Sequence, residues 1–314
     1  MSRLRALPIP ALILYAAVMT ACTETHPGGV PADPAALAVQ LRDTIRAAHP
    51  EVVGLYYRSL APEGDSVTIN ADVRMHAAST MKVPVMMRLF LDAQQGIRPL
   101  DATLEVTRTF RSIVDGSTFD LPPESDSDTA FYARVGQEAT VRHLIDRMIT
   151  WSSNLATNIL IQAAEPDRVN AMLRELGADS MNVLRGVEDL KAFDAGMNNT
   201  TTARDLGVVM AAVAESDIFT SRSRDEMLSI LERQHFRENI PAGLPEGTRV
   251  ANKTGWITAH NHDAAVVFPD NAPPYVLTVM VKGIEDQATA AALIANLSRQ
   301  VWAYHRARYG AGGA

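Results

Sequence analysis

Two hydrophobic periods divide this chain, and their order along it restricts the fold more than any other feature. Strand-like runs lie near both ends, at 52–58 and 66–70 and again at 248–255, 262–268 and 275–282. The first two flank Pro62-Glu63-Gly64-Asp65, a turn sequence. The region between is mostly helical in spacing: a largely apolar run from Ser79 to Gly96 with Pro84 near its first turn, then 140–151, 155–164, 167–176, 201–215 and 221–234. Asp33-Pro34 opens an N-terminal helix with Leu37, Leu41, Ile45 and Ala48 on one face, and a helix over 286–309 closes the chain. This order predicts an α+β fold: an antiparallel sheet built by the two termini and flanked by helices in three α/β/α layers, with an all-helical domain inserted. The expected boundaries are 33–75 with 237–310 for the discontinuous α/β domain and 76–236 for the helical one.

At 314 residues, 47% of them hydrophobic, the chain can bury a sizeable core as one large or two smaller domains. A formal net charge of −7, with no Lys/Arg cluster and no basic stripe interleaved with aromatics, argues against nucleic-acid binding. The N-terminus has Arg3 and Arg5, an apolar run over 6–19 and small residues before Cys22. That is the pattern of a secretory leader over 1–21, followed by a tether over 22–32, and the run is short for a membrane span. Cys22 is the only cysteine, so internal disulfides and thiolate metal clusters are excluded. Met19-Thr20-Ala21-Cys22 looks like a bacterial lipobox; the other reading is a plain secretory leader that contains a cysteine.

Three strings follow one another down the chain: Ser79-Thr80-Met81-Lys82, Ser152-Ser153-Asn154 and Lys253-Thr254-Gly255. A serine hydroxyl attacks a carbonyl only with a base nearby and donors for the oxyanion that forms. Ser79 and Lys82 are spaced to share one face of a helix. A lysine serves as base only where burial or a neighbouring cation lowers its pKa, and Lys253 is a candidate for that neighbour. Singly the strings say little: S-x-x-K and S-x-N are each expected roughly once by chance at this length, and Ser180-Met181-Asn182 is a second S-x-N. Their order carries the weight, together with lysine usage, since two of only four lysines (Lys82, Lys191, Lys253 and Lys282) fall inside them.

With these strings the chain resembles the class A β-lactamases and the related penicillin-recognising serine enzymes, over about residues 35–308. The likeness includes Asn70-Ala71-Asp72, His76-Ala77-Ala78-Ser79 and the segment Asp263-Ala264-Ala265-Val266-Val267-Phe268-Pro269. It implies an active-site cleft between the two domains. Ser79 is then the nucleophile, Lys82 the base or proton relay, and Ser152 the group that passes a proton to the leaving amine. By the same resemblance Asn154 holds Lys82 and the substrate's amide side chain, Lys253 and Thr254 bind the substrate carboxylate, and Gly255 leaves room along the strand. The backbone N–H groups of Ser79 and Trp256 would form the oxyanion hole. The implied reaction is hydrolysis of a β-lactam amide through an acyl-enzyme on Ser79, by a monomer without cofactor or metal. The implied localisation is the bacterial cell envelope, with lipid on Cys22 and the protein facing the periplasm. Two other readings stay open: a peptidase or esterase of the same superfamily acting on cell-wall peptides or small esters, and a slow-deacylating penicillin-binding lipoprotein.

The chain also departs from the family pattern. Ser153 stands where the family usually has aspartate. Class A enzymes carry R-x-E-x-x-L-N in the loop whose glutamate activates the deacylating water, whereas here the loop reads Arg185-Gly186-Val187-Glu188-Asp189-Leu190-Lys191. Glu188 is one position late and lysine replaces asparagine, which leaves Glu188 either a displaced base or a surface carboxylate. No arginine lies between Arg249 and Arg299, with His260 or His262 as candidate substitutes, and this His-x-His is otherwise a pair of edge-strand residues or part of a metal site. The span 106–138 is long and holds an acidic stretch from Asp115 to Asp128, expected as a solvated loop, with a lid over the cleft as the alternative.

Overall fold

A computed structural model of the protein describes residues 29–310. The expected leader, Cys22 and the tether as far as Gly28 lie outside the described residues. In chain order the elements are α1 (Pro34–Ala47), β1 (Val52–Ser59), β2 (Ser66–Ile69), β3 (Met75–His76) and, after a 3-10 turn over Ala78–Met81, α2 (Lys82–Gln94). Next come β4 (Thr103–Glu105), β5 (Thr109–Arg111), β6 (Thr118–Asp120), β7 (Glu138–Thr140), α3 (Val141–Thr150), α4 (Asn154–Ala164), α5 (Pro166–Glu175) and α6 (Leu190–Asp194). The chain ends with β8 (Thr200–Thr201), α7 (Ala203–Glu215), α8 (Ser221–Glu232), β9 (Arg249–Ile257), β10 (His260–Phe268), β11 (Tyr275–Lys282) and α9 (Gln287–Tyr309).

The two termini build one antiparallel sheet in the order β2-β1-β11-β10-β9, as the strand pattern predicts. β1 meets β11 from Val52 opposite Lys282 to Ser59 opposite Tyr275. Successive strand residues face opposite sides, and here each side enters a different core. Val53, Leu55, Tyr57, Leu277, Val279 and Val281 pack with α1 and α9, through Leu37, Leu41, Ile294 and Leu297. Tyr56, Val276, Met280, Ala264 and Val266 join the larger core that runs through α2, α3, α4 and α7. Fully burying each such side chain contributes roughly 1.5–3 kcal/mol. Gly207 lets α7 lie close on the sheet, because a Cβ there would come within 2.2 Å of the Tyr56 ring.

The helix starts are written in the sequence. Asp33, Thr140, Thr202, Thr220 and Asp286 each accept a backbone N–H of the helix they precede, and each such cap is worth about 1 kcal/mol. The helix expected from Ser79 onward divides instead into the 3-10 turn and α2. Thr80 binds Ala77 O through both its N–H and its hydroxyl, and Ala78 holds φ +47, so the turn is tighter than an α-helix. The short pairs β4–β7, β5–β6 and β3–β8 carried no usable alternation, being two or three residues long.

Candidate active site

The three strings meet at one cleft of about 520 Å³, lined among others by Ser79, Lys82, Ser152, Asn154, Glu188, Thr254, Trp256 and His260. Ser79 sits in the 3-10 turn, and backbone and histidine contacts pin that turn. His76 Nδ1 accepts from Ala78 N at 2.9 Å, Ala77 N–H reaches Asn199 O at 2.8 Å, and His262 Nε2 lies 3.0 Å from His76 O. Burial lowers His76 to about 4, which keeps its ring neutral and Nδ1 an acceptor at ordinary pH.

Lys82 begins α2 and is 1% exposed. Its Nζ donates to Ser152 O at 2.7 Å, Ser152 Oγ at 3.1 Å and Asn154 Oδ1 at 3.0 Å. Ser152 sits between α3 and α4 with φ +56, a conformation rare for a residue other than glycine. Its Oγ also accepts from Lys253 Nζ at 3.0 Å, so two lysine nitrogens converge on one hydroxyl. Taking Lys82 out of water brings its pKa down to about 7, with the Asp126 carboxylate opposing the shift. Lys253 falls well below the usual lysine range through burial and the charge of Lys82, against the pull of Asp263. Burial is thus the main cause of both shifts; the expected lowering of Lys82 by Lys253 is not among the causes of the Lys82 shift, and the cation effect runs the other way, from Lys82 onto Lys253.

β9 is an edge strand, and it brings the third string against the Ser79 turn. A Cβ on Gly255 would come within 2.9 Å of Ser79 N and 3.0 Å of Thr80 N, so glycine is required for the strand to lie there. Trp256 follows, 57% exposed at the cleft. Lys253, expected with Thr254 to bind the substrate carboxylate, is fully buried, its Nζ held by Ser152 Oγ and Thr254 O, and Thr254 is the one of the two that lines the cleft. Asn154 is likewise engaged at both ends: Oδ1 takes Lys82, and Nδ2 donates to Ser125 O at 2.9 Å rather than facing the cleft free.

The loop before α6 does bring Glu188 to the cleft. Asn158 clamps it from α4, donating to Val187 O at 2.9 Å and accepting from Val187 N at 2.6 Å, and Asn199 binds Leu184 N, Arg185 N and Arg185 O. Glu188 then takes φ +61, and its side chain lines the cleft half-exposed. A left-handed glutamate costs about 1–3 kcal/mol and persists only where its surroundings impose it. Lys191 is directed away, to Asp115 Oδ2 at 2.8 Å and Ser117 Oγ at 2.6 Å in the β5–β6 hairpin.

Two expectations are corrected here. His262 cannot face a substrate: it is fully buried, and although it shares a strand face with His260, its Nε2 lies against His76 O. Of this His-x-His pair, His260 is the one that lines the cleft. The span 106–138 is neither a free lid nor a solvated loop. Ile113 N donates to Asp189 Oδ2 at 2.9 Å, Ser125 and Ser127 line the cleft, and Asp126 and Asp128 are buried. Sequence reasoning missed Asn158 and Asp126 because neither belongs to a motif; a buried polar residue in an otherwise apolar helix face was the one available hint for Asn158.

Comparison with known proteins agrees with this geometry. The model of the beta-lactamase enzyme family matches residues 36–305. The chain belongs to that family. Among its relatives it is 28% identical to a beta-lactamase of Bacillus licheniformis over 219 residues, covering 68% of this chain and 66% of that protein. It is 30% identical to beta-lactamase AST-1 of Nocardia asteroides over 243 residues, 76% of this chain and 74% of that one. Among solved structures, PBP-A superposes with a TM-score of 0.72 at 27% identity, covering 85% of this chain and 94% of PBP-A. A PBP-A variant in an acyl-enzyme complex with penicillin G gives 0.72 at 26%, covering 87% and 97%. An ancestral class A beta-lactamase gives 0.73 at 25%, covering 85% and 98%. The three-layer class A architecture is therefore the fold of this family member.

Proposed function

We propose that this protein is a serine β-lactamase that opens the β-lactam amide through an acyl-enzyme on Ser79. The observation that carries the reading is the convergence of Lys82 and the buried Lys253 on Ser152 Oγ, at 3.1 and 3.0 Å, in the wall of the cleft that Ser79, Lys82 and Ser152 line together. Lys82 in its neutral form accepts the Ser79 proton as the hydroxyl attacks, and Ser152 relays a proton to the leaving nitrogen. The backbone N–H groups of Ser79 and Trp256 receive the oxyanion, and the Thr254 hydroxyl meets the substrate carboxylate. Glu188 activates the water that frees the acyl group. The lipobox-like sequence at Cys22 supports an envelope-anchored protein that meets its substrate in the periplasm.

Burial sets the pH dependence. Since the base form of Lys82 gains population as pH rises through about 7, the acylation rate constant is expected to climb along a single limb centred there. Stopped-flow acylation by a chromogenic cephalosporin across pH measures it, and a limb displaced to the ordinary lysine range contradicts Lys82 as base.

One observation favours a second reading, acylation without rapid release. Lys191, at the position where the family's asparagine helps hold the water, is tied to Asp115 and Ser117. The structural likeness to PBP-A, whose variant holds penicillin G as an acyl-enzyme, supports the same alternative. The two readings share every step through acylation and differ only at Glu188.

A further inference from the structure

The segment Ser125-Asp126-Ser127-Asp128 lies in the span between α2 and α3, yet each of its four residues bonds to the wall that carries Ser152 and Asn154. Ser125 O accepts from Asn154 Nδ2 at 2.9 Å, Ser127 Oγ donates to Trp151 O at 2.6 Å, and Asp128 pairs with Arg147 Nε at 2.7 Å. Asp126, only 7% exposed, accepts from Leu155 N at 2.8 Å and from Ser153 Oγ at 3.4 Å on one oxygen, and from Asp128 N at 3.0 Å on the other. Its carboxylate therefore sits on the first turn of α4, where unpaired N–H groups and the helix dipole favour an anion. That turn carries Asn154, whose Oδ1 holds Lys82. Ser153 meanwhile serves as the N-cap of α4, accepting from Ala156 N at 3.3 Å.

We propose that Asp126 is a positioning residue for acyl transfer: from the inserted segment it supplies the buried carboxylate that Ser153 lacks, and it fixes the Ser152–Asn154 turn against Lys82. The proposal rests on the reading of Ser79 and Lys82 as the acyl-transfer pair. Two consequences separate it from a plain structural brace. The Asp126 charge stabilises protonated Lys82 against burial, so an uncharged residue of the same shape moves the Lys82 proton equilibrium to lower pH. The other titratable and charged groups facing this site are Lys253 from β9, Arg185 and Glu188 from the loop before α6 and, beside Asp126 itself, Tyr132, Glu124 and the Asp128–Arg147 pair. Secondly, Ser153 Oγ and Asp126 Oδ2 are 3.4 Å apart, so a carboxylate at 153 can replace one at 126, whereas both together place like charges in one dry site.

The test compares full-length Asp126→Asn, Ser153→Asp and the double variant Asp126→Ser/Ser153→Asp with the parent. Only four lysines are present, so carbon-13 labelling of lysine gives a countable NMR spectrum; the Lys82 signal is the one lost in Lys82→Met. In Asp126→Asn the Lys82 midpoint is expected about half a pH unit or more below the parent, with acylation slowed about tenfold or more. Ser153→Asp alone is also expected to slow acylation, and the double variant to restore both the midpoint and, within a few-fold, the rate. If Asp126→Asn fails to fold, recovery of fold and midpoint in the double variant carries the same support. An unmoved Lys82 midpoint in folded Asp126→Asn, or a double variant no better than either single one, overturns the proposal. The titration needs no substrate, so a parent protein that never acylates would sink the acyl-transfer reading while the NMR still decides whether Asp126 governs Lys82.

Discussion

A Lys82→Met variant is expected to acylate about 10²- to 10⁴-fold more slowly than the parent, the range of a lost general base. Methionine matches lysine in length and volume, so the core around α2 stays filled. What disappears is the amine that bonds both Ser152 and Asn154. Two stability terms then oppose one another. A costly buried amine is removed, while Ser152 O and Asn154 Oδ1 lose their donor, each effect on the order of 1–3 kcal/mol. The melting temperature should consequently stay near that of the parent while acylation collapses. Quench-flow acylation and calorimetry on the same preparation check this. A large fall in melting temperature with a proportionate loss of active fraction would make Lys82 a structural residue.

Glu188→Gln is expected to leave acylation nearly unchanged and to slow deacylation by about 10²- to 10⁴-fold, so that the acyl-enzyme accumulates. Glutamine keeps the size of the side chain and the left-handed backbone at φ +61, and it removes the ability to take a proton from water. Single-turnover kinetics separate the two steps, because a variant impaired only in release shows a full burst followed by a slow steady state. A Glu188→Gln variant that turns over at the parent rate removes the residue from the mechanism and leaves the strain at 188 without a functional explanation.

Much of the architecture was legible because its signals are local. The strand-like runs at β1, β9, β10 and β11 gave the sheet, and Asp33-Pro34 gave the first helix start. Each depends on residues within one or two turns of itself. The convergence of Ser79, Lys82 and Ser152 was readable in the same way, as short strings whose chemistry requires proximity. Asp126 was not, since its partners are 27 and 29 residues away and nothing in Ser125-Asp126-Ser127-Asp128 distinguishes a buried acidic segment from a solvated one. Glu188 was left open between two readings for a different reason. A one-residue displacement in sequence was taken up by a positive φ at glutamate, a choice imposed by the Asn158 clamp on one side and Asp189 on the other, and no glycine marks it. The burial of Lys253 and His262 was likewise set by what packs over their strands, which periodicity within a strand does not report.

Time-resolved intact mass spectrometry of the protein mixed with a penicillin, beside the same experiment on Ser79→Ala, tests the central claim most directly. The account predicts a penicilloyl adduct on Ser79 that rises and clears while hydrolysed drug accumulates, and no adduct at all on Ser79→Ala. An unmodified parent protein, or an adduct that forms equally on Ser79→Ala, would contradict acyl transfer at Ser79.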